Sequence, residues 1–224
     1  MDLETESSAL PPEFAALGAS LSDGLTTMAL DVDPDQRHQM LAYLALLKRW
    51  NRAYNLTAVV EPREMVARHL LDSLSLTPWL RGETIVDSGT GAGLPGVPLA
   101  IIAPEKRFIL IDGNGKKIRF LRQVRRSLEL GNIEPIQARL PVRLEDVPQL
   151  PVPDLITARA LAPLSQLLEW HRDWVDQGAS LLAMKSRGVE KELFDLPPAY
   201  NVEIIELKVH GEVARRCLAI VTRK

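Results

Sequence analysis

The stretch Ile85-Val86-Asp87-Ser88-Gly89-Thr90-Gly91-Ala92-Gly93-Leu94-Pro95-Gly96 holds the residues whose types and spacing suit chemistry best. An apolar run ends in an acid, Asp87, and four glycines fall within the eight residues from Gly89 to Gly96. Glycine lets the backbone turn tightly and approach a ligand where any Cβ would collide. Pro95 stands where the first turn of a helix should begin, a position that tolerates its missing N–H. Asp112 closes a second apolar run, Phe108-Ile109-Leu110-Ile111, and lies 19 residues beyond Gly93. In an open α/β sheet, the crevice past the carboxyl end of the first strand takes a nucleotide-like ligand. The expected chemistry is therefore the binding of an adenosine-bearing cofactor, with Asp112 on its ribose.

Two cofactor classes fit this loop. Gly91-Ala92-Gly93-Leu94-Pro95-Gly96 satisfies G-x-G-x-x-G literally, with an acid about 20 residues on, which suits a nicotinamide or flavin. Asp87 followed by Gly89-x-Gly91-x-Gly93 also resembles class I S-adenosylmethionine-dependent methyltransferases, which likewise end their second strand in a ribose-binding acid. Both cofactors carry adenosine, so the loop does not separate them. A bare turn would hardly need four glycines.

Other chemistries are weakly represented. His38, His69, His171 and His210 are scattered, and Cys217 is the single cysteine, so no metal site is expected and no internal disulfide can form. A lone thiol suits a reducing cytoplasm. The start Met1-Asp2-Leu3-Glu4 lacks the features of a signal peptide, and no apolar window approaches a membrane span. The 224 residues, 46% of them apolar, suffice for one α/β domain with an appendage.

The net charge of −2 hides an asymmetry. Residues 1–36 carry eight acidic side chains and no basic one, which leaves the rest of the chain at +6. With Pro11-Pro12 and several glycine or proline breaks, residues 1–35 read as an acidic, disordered extension. Between Lys106 and Arg126, eight basic residues face one acid, Asp112.

The elements that must position these residues follow from periodicity. Apolar residues at Met40, Tyr43, Leu44, Leu47 and Trp50 predict a helix over 35–52, and Glu61-Pro62 opens a second helix that ends before Pro78. Together they form an N-terminal helical cap over 36–80. From 81 to 224, strands are expected at Thr84–Ser88, Arg107–Asp112, Ile133–Ala138, Asp154–Ala158, Gly178–Met184, Tyr200–Val209 and Cys217–Thr222. Helices are expected at Leu94–Ala103, Lys116–Leu130 and Pro163–Val175. Such alternation implies a mainly parallel sheet covered on both faces. The last two strands are too close in sequence for a parallel crossover and should pair antiparallel. This is the Rossmann-like class I methyltransferase arrangement rather than the dehydrogenase one.

Several motifs in order carry a specific resemblance. Lys48-Arg49-Trp50-Asn51-Arg52-Ala53-Tyr54-Asn55-Leu56-Thr57, Arg68-His69-Leu70-Leu71-Asp72-Ser73, the glycine loop, Gly115-Lys116-Lys117-Ile118-Arg119-Phe120-Leu121, Arg159-Ala160 and Ala183-Met184-Lys185 are similar to the bacterial 16S ribosomal RNA guanine-N7 methyltransferase G family, also called glucose-inhibited division protein B. The resemblance covers residue 36 to the C-terminus. It implies methyl transfer from S-adenosyl-L-methionine to N7 of the guanine at position 527, in the 530 loop of 16S rRNA. The substrate is the rRNA, the small ribosomal subunit or its precursor, and the enzyme is expected to be a cytoplasmic monomer away from membranes. N7 carries a lone pair and no proton, so no general base is needed, and alignment is the main task. Another substrate for the same cofactor, or a nicotinamide-binding module, are the competing readings.

Site roles follow from the resemblance, position by position. Gly89, Gly91 and Leu94 match cofactor contacts, Asp112 the ribose-binding acid, and Arg159 an arginine lining the cofactor and active-site pocket. Leu140 and Pro141 occupy the segment that flanks the adenine; Pro141 replaces an acid, and Leu140 retains its backbone N–H. Arg139, Arg159, Lys185 and Arg216 match substrate-positioning cations. Lys116, Arg119 and Arg122 are expected to hold RNA, because their helix carries few acids while Ile118, Leu121 and Val124 form its buried face. Trp50 and Tyr54 suit a core better than base stacking, and His69 a structural hydrogen bond better than catalysis.

Overall fold

The structure, a computed structural model, describes residues 10–142, 150–186, 188–210 and 216–224. Among the described residues, seven strands form one sheet: β1 (Thr84–Ser88), β2 (Arg107–Asp112), β3 (Ile133–Gln137), β4 (Leu155–Arg159), β5 (Ser180–Lys185), β6 (Tyr200–Leu207) and β7 (Arg216–Arg223). Their order is β3-β2-β1-β4-β5-β7-β6. β1 to β5 pair parallel, and β7 enters antiparallel between β5 and β6. The expected antiparallel pairing of the last two strands is observed, and the fold is the Rossmann-like α/β class.

Side chains alternate across each strand. Ile85, Phe108, Leu110, Leu155 and Leu182 join one apolar cluster, while Val86, Ile109, Ile111, Ile156 and Leu181 join the other. The helices covering the first face are α1 (Pro12–Ala15), α2 (Gly18–Thr27), α3 (Pro34–Tyr54), α4 (Pro62–Met65), α5 (Asp72–Leu74), α6 (Gly96–Ile102) and α7 (Gly115–Ser127). α8 (Leu164–Asp176) covers the second.

α3 starts sharply because Asp33 and Gln36 form a capping box and Pro34 takes the first helical position. It docks through Gln36 onto Ile101 O, Gln39 onto Leu128 O and Tyr43 Oη onto Ala92 O at 2.9 Å. The helical layer over 36–80 thus shares its core with the sheet.

One expectation fails here. Residues 10–35 are not a disordered extension; Phe14, Leu17, Leu21 and Leu25 recur at helical spacing and are buried against the same core. Composition averaged over this segment hides that spacing, since its acids lie on the outward side. Residues 1–9, the first part of that extension, lie outside the described residues.

Candidate active site

Strand register sets the order of groups along the carboxyl edge of the sheet. Asp112 ends β2 beside β1, whose last residue Ser88 pairs with Ala158, so that Gly89 and Arg159 leave adjacent strands together. Arg159 pairs with Met184, and Lys185 pairs with Cys217, next to Arg216 at the start of β7. Asp112, the glycine loop, Arg159, Lys185 and Arg216 therefore follow one another along one rim.

The loop is built on a buried acid. Asp87, with 0% exposure, accepts hydrogen bonds from Thr90 Oγ1 at 2.6 Å, Gly96 N at 2.8 Å and Thr157 Oγ1 at 3.1 Å. Burial raises its pKa to about 6, although those hydrogen bonds and Arg159 hold it down. Gly89 and Gly91 have φ of +64° and +63°, a region that favours glycine. A Cβ on Gly89 would also collide with the Leu161 side chain. A Cβ on Gly91 would meet nothing closer than Gly89 O and Lys117 Nζ, both at 3.9 Å, so this side of the loop is open. Helix α6 begins at Gly96, two residues later than the expected Leu94.

Asp112 faces that opening. Its Oδ2 accepts Gly91 N at 3.0 Å and lies 3.3 Å from Lys117 Nζ, while Oδ1 accepts Asn114 N at 2.8 Å. Asn114 caps α7 by accepting Lys116 N. Leu140 is half-buried, and Arg139 and Pro141 are exposed beyond β3. Arg139 passes close to Gly113, where a Cβ would lie 3.2 Å from Arg139 Cγ, so this segment borders the Asp112 turn.

The other half of the rim centres on a residue whose role the sequence reading left open. Asp72, 2% exposed, accepts Arg159 Nη1 on Oδ2 and Arg216 Nε on Oδ1, each at 3.0 Å. Arg159 Nη1 also donates to Arg68 O at 3.0 Å. That carbonyl lies in a π-helical turn, Val66–Leu71, which continues α4 into α5. Turns of this kind recur at functional sites. The available signal was an acid embedded in the apolar run Leu70-Leu71-Asp72, which needs partners if buried. His69 Nε2 lies 3.0 Å from Thr57 Oγ1, and burial, helped by Arg159, lowers its pKa to about 4. It is a neutral structural group, as expected.

Lys185 departs from the expectation of a substrate-positioning cation. Its ammonium donates to Ala162 O at 2.6 Å and pairs with Glu192 Oε2 at 2.8 Å, leaving the side chain 12% exposed. It braces the short 3-10 helix Val189–Asp195, because a buried ammonium needs a carboxylate and that segment supplies one. Lys116, Arg119 and Arg122 are exposed along α7. Trp50 packs on Phe120 at 5.6 Å and on Tyr54 at 5.2 Å, within the core.

Comparison with known proteins decides the family. The family model of rRNA small subunit methyltransferase G (GidB) matches residues 36–219. The chain belongs to this family. It is 45% identical over 199 residues to ribosomal RNA small subunit methyltransferase G of Methylococcus capsulatus, covering 89% of this chain and 95% of that one. To the protein of the same name from Escherichia coli O17:K52:H18 it is 40% identical over 202 residues, covering 90% and 96%. Among solved structures, a precorrin-6y C5,15-methyltransferase from Geobacter metallireducens aligns with TM-score 0.53 at 14% identity, over 77% of this chain and 93% of that one. A fibrillarin/Nop5p complex aligns with TM-score 0.53 at 14% identity, over 70% and 82%. These two likenesses establish the fold.

A family member of this kind needs S-adenosylmethionine, and the donor set fits it. The open side of Gly91 leaves room for a ligand, and the Asp112 carboxylate beside it suits a ribose diol.

Proposed function

We propose that this protein transfers the methyl group of S-adenosylmethionine to N7 of a guanine in 16S rRNA, the guanine at position 527 of the 530 loop. The observation that carries this reading is that three aspartates of the rim, among the described residues, are each engaged. Asp72 and Asp87 are buried with both carboxylate oxygens bonded, and Asp112 accepts backbone amides on both of its own. Guanine N7 has no proton to lose, so a rim whose described aspartates are all occupied suits this acceptor better than an amine or hydroxyl that must be deprotonated.

When bound, the cofactor supplies a methyl group already activated on its sulfonium. The chain itself binds and orients. Gly89, Gly91 and Leu94 would present backbone to the cofactor, Asp112 would hold the ribose, and Leu140 N–H with Pro141 would flank the adenine. Arg159 would line the pocket shared by cofactor and base, Arg216 and Arg139 would position the nucleotide, and Lys116, Arg119 and Arg122 would hold RNA phosphates. Lys185 supports the rim through Glu192. The protein acts as a cytoplasmic monomer on the small subunit or its precursor, and none of its described helices is long and apolar enough to cross a membrane.

Mapping 7-methylguanosine in 16S rRNA with and without the gene tests this reading. Loss of one modification in the deleted strain is expected; an unchanged pattern overturns it.

A further inference from the structure

Asp72 stands apart from the other acids of the rim because both its partners are cations. Two guanidiniums and one buried carboxylate carry a net charge of +1, and all three are largely shielded from water, with side-chain exposures of 20%, 22% and 3%. Each partner comes from a different strand, and the carboxylate from the helical layer, so the trio is assembled only when those parts dock. With a side chain only 3% exposed, Asp72 is screened behind its two arginines from the N–H edge of a guanine. Its effect on the base must pass through charge and through the arginines.

The reaction changes the charge at that place. As N7 forms its bond to the methyl carbon, the carbon–sulfur bond breaks and its electron pair stays on sulfur. The positive charge thereby passes from sulfur to the purine ring, and no proton moves. A base lined by both arginines, with the charge of Asp72 taken away, would resist this transfer more, since charges separated by several ångströms interact strongly in a partly buried site.

We infer that Asp72 is a positioning residue that pairs Arg159 with Arg216 and offsets their charge, so that the site tolerates the cationic 7-methylguanine. The inference rests on the proposed N7 reaction. In its absence the arginines would still be held, but without any preference between a neutral and a cationic base.

The test compares the affinity of the protein for small ribosomal subunits isolated with and without the N7 methyl group, and uses no turnover. For the wild type the ratio of the two affinities sets the reference. Asp72→Asn should bind methylated subunits roughly ten- to a hundredfold more weakly relative to unmethylated ones, the range for one unit charge acting across a partly buried site. Its affinity for S-adenosylmethionine should change less than this ratio, since the glycine loop is anchored on Asp87 and only Arg159 joins the two halves.

The double variant Asp72→Asn/Arg216→Gln restores the net charge to +1 and should return the ratio to within about threefold of the wild type. A ratio unmoved by Asp72→Asn, or a double variant as depressed as the single one, overturns the proposal. If Asp72→Asn does not fold, the double variant alone is read. A ratio near that of the wild type supports the charge role, and a loss of tenfold or more overturns it. Wild-type protein is assayed in parallel for N7 methylation of unmethylated subunits. Failure there overturns the functional reading, whereas methylation with an unmoved ratio overturns only the role of Asp72.

Discussion

The glycine loop and the arginine rim lie side by side, and each is anchored on a buried aspartate, but the two anchors work by opposite means. Asp87 is satisfied by hydroxyls and a backbone amide, all neutral and all close in sequence or on the next strand. Asp72 is satisfied by two guanidiniums. Neutral donors hold the shape of a turn, while charged ones hold cations in place and set their net charge. Loss of a neutral donor costs about 1 kcal/mol, whereas loss of one partner from a buried ion pair costs about 3–5 kcal/mol. The loop half is therefore expected to govern cofactor affinity, and the rim half the acceptor.

The largest effect is expected on the loop side. Gly89→Val adds a branched side chain at φ +64° and against Leu161, so it should abolish S-adenosylmethionine binding and also lower the unfolding temperature. Calorimetric titration with a thermal scan reads both; near-normal affinity would break the distinction between the halves. Asp112→Ala should weaken the cofactor by about 1.5–3 kcal/mol, the scale of a hydrogen bond to a charged group, with turnover at saturating cofactor little changed. Intact affinity with collapsed turnover would move Asp112 to the acceptor half.

Stability against pH separates the anchors from the surrounding core. Asp87 is raised to about 6, so its share of stability is full below 3.8 and lost as pH rises through 6. His69 and His171 are lowered to about 4 from 6.5, so theirs is present above 6.5 and lost as pH falls through 4. Two histidines outweigh one aspartate, and the protein should be less stable at pH 5 than at pH 7 by about 2 kcal/mol. Denaturant titrations at both values measure this, and His171→Phe should remove most of the difference. Equal stability would mean that the histidines are not held neutral.

The smallest effect is reserved for the exposed cations. Replacing Arg119 and Arg122 together by alanine should flatten the dependence of log affinity on log salt by between about one and two units, since each phosphate contact contributes about 0.7–0.9. Cofactor affinity should not change. An unaltered slope would return this helix face to solvent and place the RNA elsewhere.

Much of this was determined by the sequence alone. The glycine spacing after Asp87, the acid closing β2, the alternation of strands and helices, and the short final connection each express chemistry confined to a few neighbouring residues. Turn geometry and periodicity act locally, so they are legible without a fold. Only the tertiary structure decided the partners of the charged groups. Asp72 meets Arg159 and Arg216 across separations of 87 and 144 residues, and Lys185 turns inward because Glu192 waits beneath it. The acidic leader likewise folds over 10–35 because Phe14, Leu21 and Leu25 find a core to cover, which its composition does not show. Partner choice between distant ions depends on strand register and on what burial excludes from water, and neither is written in the spacing of any one segment.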